Sequence, residues 1–311
     1  MGSNTDNTIF ARDKAFWDNY LKGRPRAPDS FFERIFRYHE QKGAPFETAH
    51  DAGAGNGPYA DKLRSRFQNV IISDIVAENV RLAQDRLGTD GFQYRVSKIE
   101  EADDIPRGSV DLVFATNVLH FADQNAALQT IARQLKPNGT LVVAGFGAAR
   151  LRDPAAQDIW ARIMHQGGRA LLKHADKPDV TRKIIARSSG FYNLAPLDEQ
   201  LFERGALRIH LNMTDRDGLT SLLPPEEEGK SGEPNYTGPH DKEVFEDEEG
   251  WSVQTDLDGL KAHFASFPFS ALDPDAYTEL WQELGALLEG GRVVEAYFPA
   301  KVILATRNHT A

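Results

Sequence analysis

His50-Asp51-Ala52-Gly53-Ala54-Gly55-Asn56-Gly57-Pro58 is the most informative run of residues in this 311-residue chain. It follows directly on a strand candidate, Thr48–Ala52, and precedes a helical segment. Glycine there lets the backbone turn sharply and meet a ligand with no Cβ in the way. A dinucleotide fingerprint carries its third glycine as G-x-G-x-x-G; here Pro58 stands at that place and the spacing is G-x-G-x-G. The next strand candidate, Val70–Asp74, ends on a carboxylate 21 residues after Gly53. An α/β nucleoside site places an acidic residue at about that distance, and its two oxygens match the two hydroxyls of a ribose. Taken alone, Asp74 also reads as a turn or cap aspartate; joined to Gly53 and Gly55 it points to nucleoside binding.

Outward from this turn the pattern is strand, turn, helix, repeated. Further strand candidates are Phe92–Val96, Val110–Thr116 and Thr140–Phe146, with helical stretches at Ala77–Leu87 and Asn125–Leu135. Alternating βα units imply a doubly wound, mostly parallel sheet with helices on both faces. Upstream, Phe31, Phe32, Ile35, Phe36 and His39 recur at helical spacing, with Asp29 or Ser30 as cap. After Gly147 the chain reads as helical, then acidic and loop-like. Strand character returns at Trp251–Gln254 and as one long region at Val293–Arg307, with helices expected over Asp256–Phe267 and Pro274–Leu288, the latter capped by Asp273. The expected organisation is one α/β domain: an N-terminal helical extension or lid (1–45), a core (46–147), a cap insertion (148–250) and C-terminal elements completing the core (251–311).

Charge is unevenly placed. There are 36 Lys and Arg against 46 Asp and Glu, a net charge of −10. Ten acids between Pro224 and Gly250 face only Lys230 and Lys242, so that window alone carries −8. Four prolines and four glycines there and no sustained apolar period predict a long mobile insertion, either a solvated loop or a lid over a site. Just upstream, Ala148 to Lys183 carries eight Arg and Lys against four Asp. An acidic chain argues against general nucleic-acid binding. The absence of cysteine excludes disulfides, thiolate metal sites and a cysteine nucleophile. The histidines show no metal-ligand spacing, and no metal is expected. No apolar stretch is long enough for a membrane span, and Met1–Asp6 lacks a secretory signal. The expectation is a cytoplasmic protein with a small-molecule partner and no nucleic acid or membrane; the oligomeric state is left open.

These motifs resemble the class I S-adenosylmethionine-dependent methyltransferases, over roughly Phe46 to Phe146 and the strands near Trp251 and Val293. Asp51-Ala52-Gly53-Ala54-Gly55 is similar to their first motif and Asp74 to their ribose-binding acid. Ser97-Lys98-Ile99-Glu100 falls where the family lines its adenine pocket, and Ala115-Thr116-Asn117-Val118-Leu119-His120-Phe121 resembles the motif after the fourth strand. Leu135-Lys136-Pro137-Asn138-Gly139 resembles the turn before the fifth. Within the family the chain is most similar to fungal small-molecule enzymes of the trans-aconitate methyltransferase type. The resemblance implies a seven-stranded Rossmann-like fold, S-adenosylmethionine as cofactor, and methylation of a small molecule in secondary metabolism. It implies cofactor contacts at Tyr20, Arg24, Asp51, Gly53, Ala54, Gly55, Asp74, Ile75, Ile99, Glu100, Asn117 and Val118. Two positions depart from the pattern: His50 replaces an aliphatic strand residue, and Lys98 cannot accept a bond from the adenine amino group.

S-adenosylmethionine carries an activated methyl, so the enzyme's task is to align acceptor, methyl and sulfur and exclude water. A carboxylate acceptor needs no base; a phenol or protonated amine does. O-methylation is the leading expectation, with N-, S- and C-methylation open. His120 is the candidate base or substrate-orienting residue; its alternative is a structural histidine supporting the cofactor pocket. Tyr20 and Arg24 either clamp cofactor or substrate or form a surface pair. Arg150 and Arg169, in the basic segment, are candidates for holding an anionic substrate. Two rival readings keep the fold: a cofactor-dependent rearrangement or cyclisation, and a regulatory protein without turnover.

Overall fold

Five apolar runs become β1 (Thr48–Ala52), β2 (Asn69–Asp74), β3 (Phe92–Val96), β4 (Val110–Thr116) and β5 (Leu135–Phe146). They belong to a computed structural model that describes residue 17 and residues 23–191, 194–214 and 218–309. Every residue of β4 is buried, as expected for a strand covered on both faces. Helices α1 (Asp29–Gln41), α2 (Ala60–Arg64), α3 (Ala77–Leu87) and α4 (Gln124–Gln134) flank these strands. In α1 the residues at helical spacing, Phe31, Phe32, Ile35, Phe36 and His39, are the buried ones. Phe31 packs edge-on against Phe146 and Trp251, which fixes the helix to one face of the sheet. Its cap differs from expectation: Pro28 occupies the N-cap without a side-chain bond, and the Asp29 carboxylate pairs with Lys62 instead.

The second half contributes β6 (Arg150–Leu151), α5 (Pro154–His174), α6 (Pro178–Arg187), β7 (Leu207–Leu211), β8 (Lys242–Glu246) and β9 (Ser252–Thr255). It ends with α7 (Leu257–Ala265), α8 (Thr278–Leu287), β10 (Val294–Tyr297) and β11 (Ala300–Thr306). The main sheet runs β3-β2-β1-β4-β5-β11-β7-β8. Strands β1 to β5 are mutually parallel, β11 is antiparallel to both neighbours, and β8 is parallel to β7. The fold is the expected doubly wound Rossmann-like one, with eight strands instead of seven. The extra strand comes from inside the acidic segment, which composition alone reads as loop.

Two further elements depart from the sequence reading. The long strand region near the C-terminus is two strands in different sheets: β10 joins β6 and β9 in a small antiparallel sheet, and only β11 enters the main one. Pro299 sits between them, has no N–H for a ladder and restricts its own φ, so pairing breaks there. Asp273 does not cap a helix. It takes φ +46° before a 3₁₀ turn at Pro274–Tyr277, and its carboxylate accepts from Lys173 and His174, both at 2.8 Å. Among the described residues no helix is long and apolar enough to cross a membrane.

Candidate active site

The glycine turn leaves β1 at Ala52, and its shape needs glycine at two positions. Gly53 has φ +70°, and a Cβ there would lie 2.2 Å from Val118 Cγ2. Gly55 has φ +58°, and a Cβ there would lie 2.2 Å from the Trp17 ring. Asp74, at the end of the neighbouring strand, holds the turn in place. Its Oδ2 accepts from the Gly55 N–H at 2.9 Å, and its Oδ1 from the Val76 N–H at 2.9 Å and from Asn79 Nδ2 at 3.1 Å. Asn79 Oδ1 in turn accepts from Trp17 Nε1 at 2.6 Å.

Asp51 lies one residue before the end of β1 and is 2% exposed. Its Oδ2 has no hydrogen-bond partner among the described residues. Burial, and then the nearby Asp74, push its carboxyl up to about 8. Burial also raises Asp74, against the three bonds that favour its charged form. Two neighbouring buried carboxyls, one with an unmet acceptor, make a site whose chemistry calls for a cation or for hydroxyl donors. Next to them, Asn117 takes φ +54°, a strained left-handed conformation for a non-glycine residue. It is tied on both sides: its backbone N–H donates to Ala144 O at 2.9 Å, and its side-chain Oδ1 accepts from the Phe146 N–H at 3.0 Å.

His120 follows in a 3₁₀ turn, Leu119–Phe121, at the end of β4. Its ring is 4.1 Å from that of Phe121 and it is buried. Burial, and then the Arg187 guanidinium, hold the imidazole down to about 3. His120 is therefore neutral at ordinary pH, a hydrogen-bonding group and a weak general base.

A cavity of about 590 Å³ connects these residues, within the usual size of small-molecule sites. Of the residues expected to meet the cofactor, Arg24, Asp51, Gly53, Ala54, Gly55, Asp74, Ile75, Ile99, Glu100, Asn117 and Val118 all line it, as does His120. Tyr20 lies outside the described residues. The remaining wall is largely apolar, with Leu171, Ile184, Leu219, Phe267 and Phe269. Arg24 enters it with its guanidinium 3.7 Å above the Phe267 ring.

Arg150 and Arg169, the residues expected to hold an anionic substrate, do not line this cavity. Arg150 lies on β6 in the small sheet. Arg169 lies off the buried face of α5, which runs through Ile163, Gly167 and Leu171, and it binds Glu226 through two bonds of 2.6 and 3.0 Å. The cations that do line the cavity are Arg24, Lys98, Lys183 and Arg187. Sequence reasoning singled out neither Arg187 nor Trp17 and Asn79. Arg187 lies just past the basic segment; Asn79 carries a faint signal, in the first turn of the helix that follows Asp74.

Residues 50–143 match a family profile described as a methyltransferase domain. Methyltransferase tpcM of Aspergillus fumigatus is 56% identical over 96% of this chain and 93% of its own length. Methyltransferase AacuQ of Aspergillus aculeatus is 57% identical over 97% of this chain and 96% of its own. Among solved structures, a type II methyltransferase from Anaeromyxobacter dehalogenans superposes with a TM-score of 0.55, covering 91% of this chain and 96% of that one. At 18% identity that last likeness speaks for the fold alone. With relatives sharing more than half of its residues along nearly its whole length, the chain belongs to the class I S-adenosylmethionine-dependent methyltransferases.

Proposed function

We propose that the enzyme transfers a methyl group from S-adenosylmethionine to an anionic oxygen, carboxylate or phenolate, of a small and largely apolar acceptor. The observation that carries this reading is one cavity lined both by Asp51, Asp74 and the glycine turn and by the apolar Leu171, Ile184, Leu219, Phe267 and Phe269; we take these two sets as its cofactor end and its acceptor end. The donor set at the first end fits the cofactor. Asp51, with an unmet buried oxygen, is suited to its ammonium, and Asp74 to its ribose hydroxyls. The Cβ-free surfaces of Gly53 and Gly55 let the backbone approach it closely. Ile75 and Ile99 offer apolar contact to the adenine, and Ser97 Oγ, buried without a partner among the described residues, offers a polar one. The bound cofactor supplies a methyl already activated by its sulfonium sulfur.

At the other end, the protein's own residues favour an oxygen anion. Arg24 and Lys183 bring positive charge into a mostly apolar chamber, which stabilises an ionised acid and disfavours a protonated amine. A neutral His120, held to about 3, is poorly suited to deprotonating an amine but can orient an acceptor that is already ionised. The apolar walls exclude water from the transfer, and the turn holding His120 aligns the acceptor. Secondary metabolism is the setting we infer, supported by the fungal origin of relatives with 56% and 57% identity.

The test uses purified protein, methyl-labelled S-adenosylmethionine and a panel of aromatic and aliphatic carboxylic acids, phenols and amines of matched size. Methyl esters or aryl ethers, formed in step with S-adenosylhomocysteine, are the expected products. Label found only on nitrogen or carbon would reject an oxygen acceptor, and a product formed without S-adenosylhomocysteine would reject transfer.

A further inference from the structure

Arg187, the last residue of α6, joins three parts of the molecule. Its Nε donates to Glu233 Oε2 at 2.8 Å, reaching into the acidic segment. Its Nη1 donates to the backbone oxygens of His120 at 3.4 Å and Ala122 at 3.3 Å, on either side of Phe121. The pair is largely shielded, with side chains 20% and 14% exposed, and Arg187 itself lines the cavity. Two other pairs join the same segment to the cap helices, Arg169 to Glu226 and Arg182 to Glu227. Neither reaches the turn after β4.

We propose that Arg187, oriented by Glu233, is a positioning residue that fixes the His120–Ala122 turn at the acceptor end of the cavity. A guanidinium is a rigid planar fork, so one nitrogen anchored on a carboxylate sets where the others point. Here the anchored fork presents Nη1 to two carbonyls, His120 O within the short 3₁₀ turn and Ala122 O just after it. A lysine ammonium has the charge but cannot hold all three acceptors in one plane. Alignment of an acceptor within a fraction of an ångström is what transfer needs, and the turn carrying His120 and Phe121 is part of that frame. The acidic segment therefore contributes one carboxylate to the architecture of the site from outside the cavity.

This inference rests on the methyl-transfer reading only for the purpose it assigns to the turn, and its test reads the turn directly. The protein is labelled with [¹³Cε1]histidine, and His120→Gln assigns the His120 resonance. In Glu233→Ala and in Arg187→Lys that resonance is expected to move or double. In Glu233→Gln, whose amide oxygen still accepts from Nε, it stays near its wild-type position, and in Glu226→Ala it does not change. S-adenosylhomocysteine affinity, measured by calorimetry, stays within about threefold of wild type throughout, which also reports that each variant is folded. A His120 line unmoved in both Glu233→Ala and Arg187→Lys overturns the proposal. So does a line displaced equally in Glu226→Ala, which would make the effect one of the whole segment. A wild-type protein that fails to bind S-adenosylhomocysteine would sink the methyl-transfer reading and leave the comparison of His120 lines standing.

Discussion

Asp51 and Asp74 have different work although both are aspartates at strand ends. Asp74 spends its oxygens on the loop, through Gly55, Val76 and Asn79, whereas Asp51 keeps one oxygen without a partner among the described residues. With its carboxyl pushed up to about 8, Asp51 is mostly protonated at neutral pH before a cation arrives. A bound ammonium and sulfonium favour the ionised form, so binding must release a proton below pH 8. The sign follows: affinity for S-adenosylmethionine rises with pH up to about 8 and levels off above it, by at most about tenfold per unit. Calorimetry in buffers of different ionisation enthalpy at pH 6.5 and 8.5 measures both the slope and the proton. Asp51→Asn should lower affinity roughly tenfold and flatten the profile; an equally steep profile in that variant would place the titrating group elsewhere. The glycine turn and both aspartates are legible in the sequence because each is a local consequence of one strand–turn–helix unit. Trp17 and Asn79 are not, because their roles depend on a contact between residues 62 positions apart.

Strand β7 shows why an element can be invisible in a sequence. Leu207-Arg208-Ile209-His210-Leu211 alternates apolar and polar as a half-solvated strand would, yet Arg208 and His210 are fully buried. The outer strand β8 explains this. Asp241, just before it, pairs with Arg208 at 2.5 Å, and Glu243 accepts from His210 Nε2 at 2.9 Å. The acids that make the segment read as loop are thus partners for buried bases on the neighbouring strand. The same network holds Lys301 of β11, whose Nζ donates to His210 Nδ1 at 3.0 Å and whose side chain is fully buried. Burial pushes Lys301 down to about 7, against about 10.5 in an unfolded chain. Between those values the unfolded state binds the extra proton, so stability rises with pH, and below pH 7 the fold carries the full penalty. Lys301→Met should accordingly stabilise the protein by on the order of 3 kcal/mol at pH 6.5, with the gain shrinking toward pH 10. Thermal melts at both ends of that range decide it, and a gain independent of pH would rule out the desolvated ammonium as its cause. His50 belongs to the same class of element-level surprise. Its ring bridges Gln134 at 2.6 Å and Ser73 at 2.7 Å, a cross-link between α4 and β2 that an aliphatic residue cannot make.

Across the whole molecule, the net charge of −10 is a property of one segment and its partners. The window from Pro224 to Gly250 docks on the basic cap helices through Glu226, Glu227 and Glu233, and on α1 through Glu246 and Glu248 with Arg34. The uneven charge, and with it the meeting of acidic segment and basic cap, was legible in the sequence; the individual pairs were not, because nothing local says which arginine an acid will meet. Exposed ion pairs contribute about 0–1 kcal/mol each, so the half-exposed Arg169–Glu226 pair adds little, and the better shielded Arg182 and Arg187 pairs add more. Replacing residues 225–233 by a Gly–Ser chain of equal length should therefore cost little, a fall of only about a few degrees in Tm for a chain of this size. The larger effect should be local. Leu219 and Leu222 precede the segment and line the cavity, and Gly168 packs so closely on Leu222 that a Cβ would fall 1.8 Å from its carbonyl oxygen. Loosening the acid clamp should raise amide exchange in α6 and in 219–224 while the β1 and β2 amides stay protected. It should also make that exchange insensitive to salt, since screening acts on ion pairs that are no longer there. Hydrogen exchange at low and high ionic strength, in wild type and replacement, separates the two cases. Unchanged exchange in α6 would mean that apolar packing alone holds the acceptor wall, and that the acids serve only to keep the segment in solution.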